Sequence, residues 1–487
     1  MMNRSASIGA ISPRLLVAVL VAAAGTTALA GNIQVIYTKI PGHPTAAVPG
    51  CVDITGAPTA SDFRALEDLI MSPDGSAWII KGRTQLGSEL ENIMIKGSGT
   101  TGAMFVQEGQ PILGGAADER YEFFGSGIGA FNTNNEFAFS ARARTGPTGS
   151  TSAANGQRVL TWSTGSGFAL AFKQGDVIAS GLVDTTVSGD ETFGNSVGSI
   201  HILNNGVIGS QDSTIGAIAT SRRPAIMYST PTGGGTYTHA GFHQTGVTSI
   251  GGLTWATLNA NEFFTTPDGA HWIAEGRIGA DTATDGVLVR DGVAMLREGS
   301  TVAGSGLLMG DVFQAAILAN GDWVARGRDI TVTTPSTLAP DFAVRNGVLL
   351  AKTGDPITTG NTELWGDTFG AVAANQNGDW VLMGNTNAAE ASNQVVVLNG
   401  TTVLAREGDR VDLNGNGLPD DNAFIGRANN TLVAFDANDF ALTNDGFLYF
   451  IANLVDGDGV DLNSSPLFGT PQALLRLSIN PGPTCGD

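Results

Sequence analysis

The sequence predicts an all-β chain: a seven-bladed β-propeller of four-stranded antiparallel blades, its last blade closed by the N-terminal strand. Three observations carry this expectation. Charged residues make up 14% of the chain and glycine 67 of its 487 residues, against typical values near 25% and about 7%. Apolar runs are short, which suits strands and tight turns and leaves few candidates for long amphipathic helices. Two turn signatures then alternate along the chain and mark seven copies of one unit, and the two termini complement each other.

The copies are clearest in Phe369 to Asp409. Strands are expected there at Gly370–Asn375, Asp379–Met383, Gln394–Leu398 and Thr402–Arg406, with hairpins closing on Asn377-Gly378 and Asn399-Gly400. Asn-Gly between alternating apolar residues favours a type I′ turn, because both central residues need positive φ. The first-hairpin signature recurs in SPDGSAW, NTNNEFAF, LNNGVIG, TPDGAHW, ANGDWVA, QNGDWVL and TNDGFLYF, anchored on Trp78, Phe137, Val207, Trp272, Trp323, Trp380 and Phe447. The aromatic follows Gly75 and Gly269 by three residues but Gly321 and Gly378 by two. With side chains alternating faces, either a bulge intervenes or these aromatics are not equivalent. The second signature ends at Gly109, Gly175, Gly246, Gly299, Gly354 and Gly408, mostly as Glu-Gly or Thr-Gly.

In chain order, residues 1–30 read as a secretory signal: Arg4 and Arg14 precede an apolar run, and Ala28-Leu29-Ala30 supplies small residues for cleavage. Residues 31–487 then form one propeller domain with blades at about 60–110, 120–177, 190–248, 252–301, 310–356, 365–410 and 430–480, the last completed by 33–42. Ser61 to Met71 is the best helix candidate, and its second half reads better as a strand. Cys51 and Cys485 lie near opposite ends of an exported chain, so ring closure would pair them in a disulfide.

The acidic balance, −20 overall, argues against nucleic acid as a partner, since phosphate contacts need Lys and Arg. No segment after residue 30 is apolar for long enough to span a bilayer, so a secreted, periplasmic or extracellular monomer is expected. The sharpest local motif is DLNGNGLPDD. It places oxygen donors at Asp412, Asn414, Asn416, the Leu418 carbonyl, Asp420 and Asp421, the alternating spacing of a calcium loop, although Ala423 stands where a helix–loop–helix site has a bidentate Glu. Asp456 to Asp461 is a weaker acidic loop. His239 and His243 in THAGFH would share a face of a strand, where a metal pair is conceivable beside the plainer reading of ordinary strand residues. Arg83, Arg277 and Arg328 each follow a Trp by five residues and mark one equivalent position per blade. The recurrent Trp residues read as wedges between blades rather than platforms for sugar.

The Asn-x-x-Gly/Asn-x-x-Ala-Phe pattern, best seen in Asn132 to Phe139, resembles exported bacterial tandem-repeat proteins described by an NxxGxxAF motif. LNGNGLPDD likewise resembles calcium loops of exported bacterial proteins. The resemblance implies a secreted repeat protein and transfers no catalytic residue. No nucleophile elbow, phosphate-binding loop or zinc spacing is present. The function expected is a cell-surface or secreted binding module for a protein or polysaccharide ligand. The alternative is a carbohydrate-active hydrolase or lyase acting at the channel mouth.

Overall fold

The short strands and turns assemble into seven antiparallel sheets arranged as the blades of a β-propeller. The computed structural model describes residues 33–480 except 114, 126–128, 147–151, 184–188, 217–218, 331–338, 428–432 and 463–469. The signal segment and Cys485 therefore lie outside the described residues. Blades 1 to 6 span 63–107, 119–173, 192–244, 249–297, 309–352 and 365–406. Blade 7 spans 424–478 and takes its outer strand from the N-terminus: Gln34–Thr38 pairs antiparallel with Gln472–Ser478, Gln34 opposite Arg476 and Thr38 opposite Ala473. The ring thus closes with an N-terminal strand, which covers the outer edge of Gln472–Ser478 at the seam.

Apolar residues on both faces of each sheet bury against the neighbouring blades, so the core is divided among the seven blade junctions. At the seam, Ile36, Tyr37, Tyr449 and Leu474 of blade 7 pack on Phe63, Trp78 and Ile95 of blade 1, with Cys51 buried among them. Trp323 is fully buried between Ile273 and Leu288 of blade 4 and Phe342 of its own blade. Trp78 and Trp272 are wedged in the same way, as the sequence suggested.

The register resolves the uneven aromatic spacing. Trp78, Phe137, Trp272, Trp323 and Trp380 each pair with the last residue of their blade's inner strand: Met71, Phe131, Thr265, Ile317 and Ala374. They are equivalent. The extra residue lies in the turn, which closes Ser72 N–H onto Ala77 O and Thr266 N–H onto His271 O, against Leu318 onto Asp322 and Asn375 onto Asp379. In blades 3 and 7 the equivalent residues are Ile208 and Leu448, paired with Ile202 and Leu442, one beyond the expected Val207 and Phe447.

Two local expectations are corrected. Asn377-Gly378 does not form a type I′ turn: only Gly378 has positive φ. The loop is instead held by the Asn375 side chain, whose Oδ1 accepts from Asn377 N at 3.0 Å and Asp379 N at 2.9 Å. The type I′ geometry does occur in outer hairpins, where Asp291-Gly292, Asn346-Gly347 and Asn399-Gly400 all take positive φ. Residues Phe63–Met71 form a strand throughout, since tertiary pairing outweighs helical propensity there.

The second signature is a clasp between blades. N–H groups of Gly109, Gly175, Gly246, Gly299, Gly354 and Gly408 donate to carbonyls of Tyr121, Phe193, Trp255, Met309, Trp365 and Ile425, each at the start of the next blade. The preceding side chain caps the next free donor: Glu108 accepts from Asn92 N at 3.1 Å and Glu298 from Gly286 N at 3.0 Å.

Candidate functional site

Inner strands line the channel, so their composition decides what it can do. Around the first-hairpin turns the channel holds a cavity of about 280 Å³ walled by Ala316, Val372, Ala373, Phe440 and Leu442, with Gln314 among the few polar side chains. Among the described residues no acid, Arg, Lys or Tyr lines it. His201 does, but it is buried against the Phe263 carbonyl, 2.9 Å from its Nε2, and burial pushes its pKa down to about 4.

Charge gathers further along the inner strands, where each sheet's register shifts. Glu67 and Asp68 stand in such a shift, salt-bridged to Lys81 Nζ at 3.4 and 3.0 Å. Asp439 stands in another, and its Oδ1 accepts from Leu69 N at 2.7 Å. Ser199 Oγ and Gln314 Oε1 make the same bond one blade onward, to Phe263 N at 3.1 Å and Val372 N at 3.0 Å. All three occupy the fourth position from the inner strand's end, a polar belt that satisfies N–H groups no ladder can reach.

Burial raises the pKa of several carboxyls near this belt. Burial, with Asp436 nearby, pushes Asp439 up to about 8. Burial and then Glu262 push Glu275 up to about 8, despite the 2.6 Å hydrogen bond from Asn259. Glu262 rises to about 7 through burial, with Arg326 opposing the shift. Arg326 also donates to the Phe369 carbonyl at 2.8 Å.

Arg83, Arg277 and Arg328 do occupy one equivalent position, and each is ion-paired: to Glu67 at 2.9 Å, Asp285 at 2.9 Å and Asp341 at 2.9 Å. His239 and His243 do not share a face. A bulge at Phe242 pairs them with Ser229 and Ile226, so His239 packs on Phe172 and Phe193 while His243 packs on Trp272.

The 412–421 loop joins blade 6 to blade 7, and Asp412 N–H donates to the Ile33 carbonyl beside the closing strand. Its donors converge. Asp421 accepts from Leu413 N and from Asn414 N and Nδ2 at 2.7–2.9 Å. Asp412 accepts from Asn416 N and Gly417 N, Asn416 Oδ1 from Leu418 N, and Asp420 from Asn416 Nδ2. These oxygens are thus engaged by the loop's own N–H groups, and a cation would share their remaining lone pairs. Among the described residues no three His, Cys, Asp or Glu side chains group closely enough to hold a metal by themselves, so Asn and backbone oxygens would have to complete the shell. Asp456 caps its own turn, accepting from Asp458 N and Val460 N.

No family model matches the chain, and no curated protein is similar to it. Among solved structures, the polysaccharide lyase Uly1 is similar at a TM-score of 0.40 and 11% identity, covering 86% of this chain and 90% of that one. The Dos1 propeller is similar at 0.37 and 9%, covering 91% and 95%. The alpha-L-arabinofuranosidase Arb93A from Fusarium graminearum is similar at 0.34 and 10%, covering 76% and 95%. Likeness this distant carries no argument about this chain. Among the described residues no helix is long and apolar enough to cross a membrane.

Proposed function

We propose that the chain is an exported propeller that binds a protein or polysaccharide partner through its blade-connecting loops and performs no catalysis. The observation that carries this reading is the channel cavity, whose described walls are apolar, amide and hydroxyl side chains with one imidazole, His201, engaged by the Phe263 carbonyl, and no described carboxylate, guanidinium or phenol to do acid–base work. The reading includes calcium at Asp412, Asn414, Asn416, Leu418, Asp420 and Asp421, where the ion would tie the loop to the closing strand. It also includes a Cys51–Cys485 bridge, supported by the position of Cys51 at the seam where the chain's ends meet. Incubating residues 31–487 with a panel of plant and microbial polysaccharides tests it: retention on an immobilised polysaccharide or protein without release of reducing ends or unsaturated products is expected. Turnover would overturn it.

A second reading, a carbohydrate-active hydrolase or lyase, is favoured by one observation. Burial raises both Glu262, which Arg326 opposes, and Glu275, which Glu262 raises further, so that two neighbouring carboxyls titrate near neutrality. Under that reading Glu262→Gln and Glu275→Gln each abolish product release while leaving the fold intact.

A further inference from the structure

The second strand of every blade carries one position opposite a large apolar residue of the inner strand. It is Gly82 opposite Leu66, Ala141 opposite Phe124, Gly276 opposite Leu258, Gly327 opposite Val312, Gly384 opposite Phe369 and Ala452 opposite Phe435. The reason for a small residue is direct: a Cβ added at Gly276 would lie 2.3 Å from the Thr257 carbonyl oxygen, and at Gly327 2.4 Å from that of Asp311. Blade 3 alone departs. Asp212 fills the position, opposite Val197, within the same pair of flanking register shifts that blades 5 and 6 have around Val312 and Phe369.

Beside Asp212 lies a cavity of about 150 Å³ lined by Ser196, Gly198, Gln211, Asp212, Ser213, Pro224 and Leu258. Asp212 is only 3% exposed. Its Oδ2 accepts from the Ser210 hydroxyl, but its Oδ1 has no hydrogen-bond partner. No other ionisable group lines the cavity, and burial alone pushes the carboxyl up to about 8. A buried carboxyl with an orphaned oxygen costs stability unless something supplies the missing donor or charge. The other lining polar groups, two hydroxyls and an amide, offer further oxygen acceptors.

We propose that this cavity between blades 3 and 4 is a binding site for a small cation, a metal ion or the ammonium head of a ligand, with Asp212 as its anchoring charge. Oxygen-only surroundings suit hard metal ions and ammonium alike, and the size leaves room for waters to complete a metal's shell or for the stem of an amine along Leu258. The site is separate from the 412–421 loop and independent of the proposed partner binding.

Thermal denaturation of the chain at constant ionic strength tests it, with CaCl2, NaCl or methylammonium chloride as the added cation and tetramethylammonium chloride, which has no N–H to donate and no bare charge to coordinate, as the balancing salt. Asp212→Ala supplies the comparison, because it places the residue that blades 2 and 7 already carry and is expected to fold. Asp421→Ala removes the loop's contribution. At roughly ten times its dissociation constant a bound cation is expected to raise the wild-type midpoint by about 1–2 °C. The Asp421→Ala variant should keep that rise and the Asp212→Ala variant lose it. The arm that responds distinguishes a metal from an amine. An equal rise in wild type and Asp212→Ala, or no rise with any of the three, would overturn the proposal and leave water and a proton as the cavity's occupants.

Discussion

Replacing Asp439 with Asn should stabilise this protein, and by an amount that depends on pH in a defined way. Asp439 is 6% exposed and has Asp436, Asp68 and Glu67 for electrostatic neighbours. Its pKa rises from 3.8 to about 8 in the folded chain, first through burial. A group whose folded pKa is raised gives its full contribution below its unfolded pKa and loses it as pH climbs through the folded one. Asp439 is therefore harmless near pH 4, and between pH 4 and 8 each pH unit removes about 1.4 kcal/mol. At pH 7 that amounts to about 4 kcal/mol, and relaxation around a buried charge brings the expectation down to about 2 kcal/mol. Asparagine keeps the oxygen that accepts from Leu69 N and never ionises. Urea denaturation at pH 4.5 and pH 8 is the assay: midpoints of wild type and Asp439→Asn should nearly coincide at the lower pH, with the variant clearly higher at pH 8. A variant less stable at pH 8 would show that the carboxylate is charged and stabilising, and one displaced equally at both would show that folding does not shift its pKa; either result would defeat the argument from burial.

Three further outcomes follow from packing. Trp323→Ala empties the junction between blades 4 and 5 and should cost about 3–5 kcal/mol in chemical denaturation; a loss below 1 kcal/mol would mean the blades are not wedged by this ring. Gly327→Ala would press its new Cβ against a backbone oxygen that cannot swing away, so a loss of about 1–3 kcal/mol is expected, although glycine to alanine normally favours a strand. Ile36→Asp puts a charge into the seam and should release the closing strand, read as protease cleavage before Phe63 under conditions where the wild type resists.

The architecture was legible because each blade repeats the same physical solution. Asn346-Gly347 and Asn399-Gly400 announce positive φ at consecutive residues, and the Glu-Gly signature announces a clasp whose glycine also takes positive φ. Gln394–Leu398 and Thr402–Arg406 fall at the residues the alternation marks. What could not be read were features set by a neighbour. The bulge at Phe242 that parts His239 from His243 leaves no mark in THAGFH. Asp439, Ser199 and Gln314 differ in type, so their shared role emerges only when the next blade's unpaired N–H is in view. A signal for blade 3 did exist: aligned with KGR, EGR and RGR, its QDS puts an acid where every other blade is small.

That irregularity bears on where function resides in a repeat protein. Positions that recur across blades, such as the wedged Trp residues and the clasp glycines, are explained by closing the ring, and their chemistry is used up in doing so. The ion pairs of Arg83, Arg277 and Arg328 belong to the same class, since each is neutralised within its own blade. A residue that breaks the pattern has no such explanation and carries a cost that six other blades avoid. Asp212 is the clearest instance, because an Ala in its place would serve packing as Ala141 and Ala452 do. The channel's apolar walls and the orphaned carboxyl off its axis thus make the departures from the repeat, rather than the repeat itself, the places where the proposed binding is to be tested.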